Sequence, residues 1–418
     1  MKVKFITLGC KTNYYETQAM SELFKQKDYT IAEKKDLADI YVINTCTVTG
    51  TAAQKSRQHI RKARKENPHA IIAVVGCYAQ TEPQAVSKIE GVDIIVGTNG
   101  KKNIVEYVEK ALKGSKTLSL TDMTKFREYE DFCITSEQSR IRATVKIQDG
   151  CDNFCTYCII PYARGRVRSR NLENTLSEVN TLAKAGYQEI VLTGIHLDSY
   201  GKDFDYKITL ADVIEIISKV PGIKRIRLGS LEPTVITEEF VERVKKCENF
   251  CPHFHLSLQS GCNATLKRMN RRYNTETYEK AAALIRKNFS DVSITTDIMV
   301  GFPGETDDEF EASYNFCKKM DFMQMHVFKY SKREGTKAAV MENQVPESIK
   351  DMRSEKMLEL AKEMHEKFYE KYKGKKAPVL IEQKKYKNYY HGTLPNYLDV
   401  LVKSDKDITN TIVEAYIE

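Results

Sequence analysis

Over the first 112 residues, short apolar runs alternate with stretches of helical length. The runs are Val3–Leu8, Ile40–Ile43, Ile71–Val75 and Ile94–Val96, and Glu16–Lys27 and Thr51–Asn67 are long enough to cross over between them. This pattern predicts a doubly wound parallel sheet. Residues 113–138 are polar and irregular and read as a linker. A second βα series follows over 139–370, with strands expected at Ile141–Ile147, Glu189–Leu192, Arg225–Leu228, Phe254–Leu258, Ser293–Met299 and Met323–Tyr330. Helices are expected at Leu172–Ala185, Thr237–Lys246, Thr275–Arg286 and Asp307–Lys319. Six parallel strands predict an incomplete TIM-like barrel, whose site lies at the carboxyl ends of its strands. A long charged helix over 346–372 leads into a tail, 371–418, in which Val379–Ile381, Leu398–Val402 and Ile412–Ile417 are separated by polar turns. The tail reads as a small antiparallel β-barrel. The fold class is α/β throughout, with this β module at the end.

A chain of 418 residues has room for two or three such domains. No apolar run approaches the ~18 residues of a membrane span, and the N-terminus reads as a strand instead of a signal peptide. A cytoplasmic protein without a membrane partner is expected. Eleven cysteines form an odd and large set for such a compartment, which argues for metal over disulfides. The net charge of +8 is compatible with a nucleic-acid partner but does not establish one.

The densest chemistry is Cys151-Asp-Asn-Phe-Cys155-Thr-Tyr-Cys158, spaced C-x3-C-x2-C. Thiolates crowded in this way suit an iron–sulfur cluster, and with no local fourth cysteine one iron stays open for a ligand. Structural zinc is the alternative, but it wants four closed ligands, and none follows at finger spacing. A second trio is less obvious. Cys10, Cys46 and Cys77 each follow an expected strand, so a parallel sheet would bring them to one rim despite separations of 36 and 31 residues. The alternative is three ordinary buried cysteines. Thr193, Gly194, Glu232, Gln259 and Asp297 end or follow barrel strands and are expected at the same mouth as Cys151. Gly301 opens the turn Gly-Phe-Pro-Gly-Glu, where backbone can approach a ligand.

Basic residues fall in three places. Lys55, Arg57, Arg61, Lys62, Arg64 and Lys65 lie on one expected helix with no acid among them, a candidate phosphate contact or a solvated face. Arg164, Arg166, Arg168 and Arg170 follow the cysteine loop and are expected at the mouth against phosphate or cofactor. In the tail, nine lysines face six acids, interleaved with Tyr386, Tyr389, Tyr390 and Tyr397, which suits stacking on RNA. Cys247 and Cys251 sit near His253 and His255, but no fourth ligand has suitable spacing, and they read as structural.

The C-x3-C-x2-C spacing, with Tyr157 before its last cysteine, resembles the radical-SAM superfamily. Taken whole, the chain resembles the radical-SAM methylthiotransferases: an N-terminal three-cysteine domain, a radical-SAM barrel and a short C-terminal TRAM-like RNA-binding barrel. Leu8-Gly-Cys10-Lys-Thr-Asn-Tyr-Tyr-Glu16 and Cys158-Ile-Ile-Pro-Tyr-Ala-Arg164-Gly-Arg-Val-Arg-Ser-Arg170 are similar to the bacterial branch acting on threonylcarbamoyladenosine beside the anticodon of tRNA. The isopentenyladenosine and ribosomal-protein branches are the alternatives, and Lys11-Thr12-Asn13 fits the first motif of neither. The resemblance implies two 4Fe-4S clusters and S-adenosylmethionine (SAM). Cys151, Cys155 and Cys158 would hold the cluster that cleaves SAM. Cys10, Cys46 and Cys77 would hold an auxiliary cluster carrying the transferred sulfur to carbon 2 of the base. It further implies SAM contacts from Tyr157, Thr193, Gly194, Glu232, Gln259, Asp297 and Gly301, and anticodon-loop contacts from Lys55, Arg57, Arg61, Arg164, Arg166 and Arg168. A reducing electron donor is implied as a partner, and the sulfur source stays open.

Overall fold

Strands buried on both faces belong at the centre of a parallel sheet, and Ile40–Thr45 and Ile71–Gly76 carry almost no exposed residue. A computed structural model of the chain describes residues 1–33, 35–48, 50–134 and 141–417. The N-terminal part runs β1 (Lys2–Thr7), α1 (Lys11–Lys25), β2 (Thr30–Ile31), β3 (Ile40–Thr45), α2 (Gly50–Glu66), β4 (Ile71–Gly76), α3 (Cys77–Thr81), α4 (Pro83–Ser87), β5 (Ile94–Val96), α5 (Ile104–Leu112) and β6 (Thr117–Ser119). Its six strands are parallel in the order β2-β1-β3-β4-β5-β6. One face packs Tyr41, Ile43 and Val74 against Ile60 of α2. The other packs Val3, Val42 and Val75 against Met20 of α1 and Val108 of α5. The sheet is doubly wound, and its strand order reverses between β1 and β3, where such sheets bind ligands.

Two expectations shift here. Helix α1 begins at Lys11, not Glu16, because Gly9 turns the chain at φ 105° and Cys10 is extended at the helix start. The expected linker is not wholly irregular, since Thr117–Ser119 adds β6 to the sheet. Further on, Phe132 and Ile134 are buried in the barrel core. The end of that linker (135–138) and the first two residues assigned to the barrel lie outside the described residues.

The central part continues with β7 (Arg142–Lys146), β8 (Gln148–Asp149), α6 (Ile160–Arg164), β9 (Arg168–Ser169), α7 (Leu172–Lys184), β10 (Glu189–Thr193), α8 (Leu210–Ile217), β11 (Arg225–Leu228), β12 (Ser230–Leu231), α9 (Glu238–Lys245), β13 (His253–Leu256), α10 (Asn263–Arg268), α11 (Thr275–Asn288), β14 (Ser293–Val300), α12 (Asp307–Met320) and β15 (Gln324–Lys329). Strands β7-β10-β11 and β12-β13-β14-β15 form two parallel segments. Strands β11 and β12 are separated only by Gly229, and a bridge from Ile226 to Phe250 joins the segments, so six strands make one curved wall. No pairing joins β7 to β15 among the described residues, which leaves the barrel incomplete, as expected. Helix starts in this half are capped by Asn171, Thr237, Asn274 and Thr306, whose side chains accept from the first free backbone N–H groups.

The chain ends with α13 (Glu347–Glu370), β16 (Lys376–Tyr386), β17 (Tyr389–Thr393), β18 (Asp399–Lys403) and β19 (Ile412–Tyr416). These four strands form an antiparallel half-barrel in the order β18-β17-β16-β19. It sits against the amino ends of the barrel strands. Arg225 donates to the carbonyls of Thr393 and Pro378, each at 2.9 Å, and Arg227 donates to Pro395 at 2.9 Å. Tyr397 lies flat on His253, with ring centroids 4.7 Å apart. No described helix is long and apolar enough to cross a membrane.

Candidate functional site

The loop carrying Cys151, Cys155 and Cys158 leaves the carboxyl end of β7 through Gly150. A Cβ there would sit 1.8 Å from the Arg166 carbonyl oxygen, and φ is 72°, so only glycine fits. Two outside segments fix the loop. The Cys151 N–H reaches the Gly165 carbonyl at 3.0 Å, and the Thr156 N–H reaches that of Met269 at 3.0 Å. Arg271 donates to Cys155 Sγ at 3.2 Å and pairs with Glu232 at 3.1 Å. Burial, reinforced by neighbouring thiols, pushes Cys151 and Cys158 up to about 12. Thiols so reluctant to ionise alone become thiolates when a cation binds them.

The second trio lies at strand ends of the N-terminal sheet. Cys10 follows β1, Cys46 follows β3 and Cys77 opens α3 directly after β4, across the point where strand order reverses. Their thiols are close enough to act on one another: burial raises Cys46 to about 11, with Cys77 and Cys10 adding to it. Gly9 makes the room, since a Cβ on it would lie 2.9 Å from Cys46 Cβ and 3.0 Å from its Sγ. Among the described residues, neither trio brings all three of its sulfur atoms within 4.8 Å of one another. A single tetrahedral zinc would hold them about 3.8 Å apart, given Zn–S near 2.3 Å. A trio not drawn that close throughout fits a cluster better than one ion.

A buried charge network joins the two rims. Arg164, fully buried in α6, donates to Glu16 at 2.8 and 3.2 Å, to Asn13 at 2.7 Å and to Asp149 at 3.1 Å. Lys101 and Lys146 reach the same Glu16 carboxylate at 3.0 and 2.9 Å. Burial alone would raise the Glu16 and Asp149 carboxyls. Arg164 and the lysines outweigh it and hold both well below the usual carboxylate range. Burial raises the Cys77 thiol, and Arg164 is the largest influence opposing it, so the guanidinium also lies beside the second trio. Arg333 of the barrel binds Thr47, next to Cys46 in the chain, and Glu82, just past α3, which Cys77 opens. Thr98 donates to the Ala163 carbonyl at 2.7 Å. The second rim therefore faces the barrel.

A cavity of about 150 Å³ adjoins the first trio and is lined by Tyr157, Glu232, Gln259, Arg271, Asn153 and His196. Of the expected SAM contacts, Tyr157, Glu232 and Gln259 line this cavity. The other expected SAM contacts lie apart from it. Thr193 is buried at the end of β10. Gly194 leaves space for Gln148, whose Oε1 would meet its Cβ at 2.8 Å and accepts the His196 N–H at 2.7 Å. Asp297 pairs with His255 at 3.3 Å inside the barrel. Gly301 faces the stem of Lys350, 2.3 Å from where its Cβ would be.

The arginine run also needs correction. Arg164 and Arg168 do not line the mouth: both are buried, and both face Asp149. Arg170 is buried against Glu178 and Asp131. Only Arg166 is open to solvent, stacked on Phe154 and paired loosely with Asp152 at 3.4 Å. It lines a cleft of about 430 Å³ with Arg127, Lys202 and Arg272 that shares Asn153 and His196 with the cavity beside the first trio. On α2, Lys55 and Arg61 are exposed, while Arg57 donates to the Tyr78 hydroxyl at 3.2 Å. Arg64 is tied down by Pro68, Gly91 and Asp93, and Tyr390 is buried. A further cleft of about 700 Å³ between Tyr200 and Arg243 shares Lys202 with the Arg166 cleft.

Three participants went unread in the sequence. Asn153 sits inside the cysteine motif and donates to Glu232 at 2.9 Å. His196 lies two residues past Gly194, with Nε2 3.6 Å from Glu232. Arg271 comes from a turn after α10 and had no strand end to mark it.

Residues 2–97 match the family described as Uncharacterized protein family UPF0004, and residues 145–317 match the Radical SAM superfamily. The chain is 41% identical over 421 residues to the threonylcarbamoyladenosine tRNA methylthiotransferase MtaB of Bacillus subtilis (strain 168), covering 99% of this chain and 93% of that one. It is 39% identical over 409 residues to the protein of the same name from Aquifex aeolicus (strain VF5), covering 98% of each. Its fold is similar to that of the radical S-adenosylmethionine methyltransferase TsrM from Kitasatospora setae, with a TM-score of 0.62 over 81% of this chain and 77% of that one at 14% identity.

Proposed function

The chain belongs to the radical-SAM methylthiotransferase family, and from that membership we propose that it converts threonylcarbamoyladenosine beside the anticodon of tRNA to its 2-methylthio derivative. The observation that supports the reading is the Arg164 network, which lies beside Cys77 and holds Asp149, two residues before Cys151. Cys151, Cys155 and Cys158 would hold one 4Fe-4S cluster and Cys10, Cys46 and Cys77 the other. When bound, the clusters supply one-electron cleavage of SAM and the sulfur to be inserted at an unactivated ring carbon.

The protein's own part is placement and exclusion. Asn153, His196, Glu232, Gln259 and Arg271 offer donors and acceptors to the polar end of SAM. Their cavity of about 150 Å³ is below the roughly 300 Å³ of a whole-ligand pocket, so it would receive one end of the cofactor. Arg271 keeps positive charge at Cys155, and Arg164 keeps it beside Cys77, whose thiolate burial disfavours. The cleft of Arg166, Arg127, Lys202 and Arg272 suits the RNA backbone, with Lys55 and Arg61 as a second contact. The target base would leave its stack to reach the barrel, a smaller loss for a loop base than for a paired one. The reaction also needs a reducing electron donor, and a cytoplasmic location follows from the tRNA substrate.

Mass spectrometry of tRNA nucleosides from cells with and without the gene tests this. The 2-methylthio-threonylcarbamoyl nucleoside should vanish and its unthiolated precursor accumulate in the deletion. Unchanged levels of both would overturn the assignment.

A further inference from the structure

Inside the barrel wall, below the cysteine loop, lies a cavity of about 380 Å³ that the reading above does not use. Arg142, Thr144 and Arg227 line it from β7 and β11, Glu382 and Tyr397 close it from the C-terminal module, and Lys11 enters it from the N-terminal domain. Lys11 is the first residue of α1, one position after Cys10, whose side chain is exposed. Burial disfavours the charged form of both His253 and His326, and the Lys11 charge adds to it, which agrees with an ammonium that enters the barrel on the side of β13 and β15.

Arginines crowd this cavity. Arg227 is held by Glu189 at 3.0 Å and by the Pro395 carbonyl at 2.9 Å. Arg142 reaches Glu382 at 3.0 Å and the same Glu189 at 3.9 Å, and Arg225 also lies 3.7 Å from Glu189. Among the described residues, two carboxylates thus serve three guanidiniums. A small anionic group would complete the set, whereas an apolar one would strip water from cations and return nothing.

The substrate of the proposed reaction carries such a group. The threonylcarbamoyl arm on N6 ends in a carboxylate and a hydroxyl. N6 and carbon 2 flank the same edge of adenine, so a base offering carbon 2 to the rim beside Cys10 directs its arm at the residues next to Cys10. We infer that this cavity receives the threonylcarbamoyl arm, with its carboxylate on Lys11 and Arg142 and its hydroxyl near Thr144. Lys11 is thereby a specificity-determining residue. The inference rests on the proposed function for the identity of the arm, and on the cavity for its place.

The test uses the full chain with both clusters reconstituted, and reads binding without turnover. Three anticodon stem-loop RNAs are compared by fluorescence anisotropy: one with threonylcarbamoyladenosine, one with its carboxyl as the methyl ester, and one with plain adenosine. The protein should bind the free acid roughly tenfold or more tighter than the other two. Lys11→Gln should lose most of that preference and Arg142→Gln part of it, with affinity for the plain loop within about twofold of the parent. Iron content, unchanged in both, separates this from a damaged rim. Equal affinity for acid and ester, or a preference surviving in both variants, overturns the inference. The function fails separately: if the preference is present but no 2-methylthio product forms, the reaction is wrong and the cavity assignment stands. If product forms without a preference, the cavity assignment is wrong and the reaction stands.

Discussion

Arg164 grips Glu16 with both arms of its guanidinium, Nη1 to Oε1 at 2.8 Å and Nη2 to Oε2 at 3.2 Å, across 148 residues and a domain boundary. Neither domain can bury its share of this charge alone. Removing one partner should be far worse than removing both, because a lone buried ion keeps its desolvation cost. Arg164→Met should destabilise by about 3–5 kcal/mol. Adding Glu16→Gln should recover part of that, with a coupling of about 0.5–3 kcal/mol by denaturant unfolding of the loaded protein. Strictly additive losses would show that the pair is incidental.

The two trios should be separable by iron count. Cys77→Ser should lower iron from about eight to about four per chain while 5′-deoxyadenosine still forms from SAM and dithionite. Cys155→Ser should abolish that product. A Cys77→Ser protein retaining all its iron would remove the auxiliary assignment.

Asp198 gives a pH signature. Its Oδ1 has no hydrogen-bond partner among the described residues, and burial raises its carboxyl to about 7 from an ordinary 3.8. Between those values the folded protein holds the proton more tightly than the unfolded chain, so stability falls as pH rises through the window. Asp198→Asn removes this dependence. The stability of the variant relative to the parent should grow from pH 5 to pH 7, by at most about 1.4 kcal/mol per unit. A constant difference across that range would contradict the burial argument.

Exposed cations should act through salt. Lys55→Glu with Arg61→Glu should weaken tRNA binding and lower the slope of log affinity against log salt by about two, one for each phosphate contact. Arg166→Glu should lower it by about one. Unchanged slopes would leave these side chains as solvated surface.

The sequence exposed the skeleton well because its signals are local. Fully buried runs such as Ile40–Thr45 and Ile71–Gly76 fix central strands, and cysteines at strand ends must share a rim. What it hid depends on residues distant in the chain. Arg164 and Arg166 stand two apart in one basic run, yet one is buried against Glu16 and the other is solvated, because only the first faces α1. Nothing near Arg271 announces that it reaches Cys155, 116 residues away. Gly301 carries the composition of a ligand loop, but its free space is filled by Lys350 from the closing helix.

Arg225 and Arg227 fasten the C-terminal half-barrel by its own carbonyls, at Thr393, Pro378 and Pro395. Severing the chain after Glu370 would strand those guanidiniums and open the floor of the catalytic barrel to water. Loss of activity in such a truncation would then say nothing about whether the tail touches RNA. The module is a foundation as much as an appendage, and its contribution to recognition has to be sought by altering its outer tyrosines and lysines one at a time.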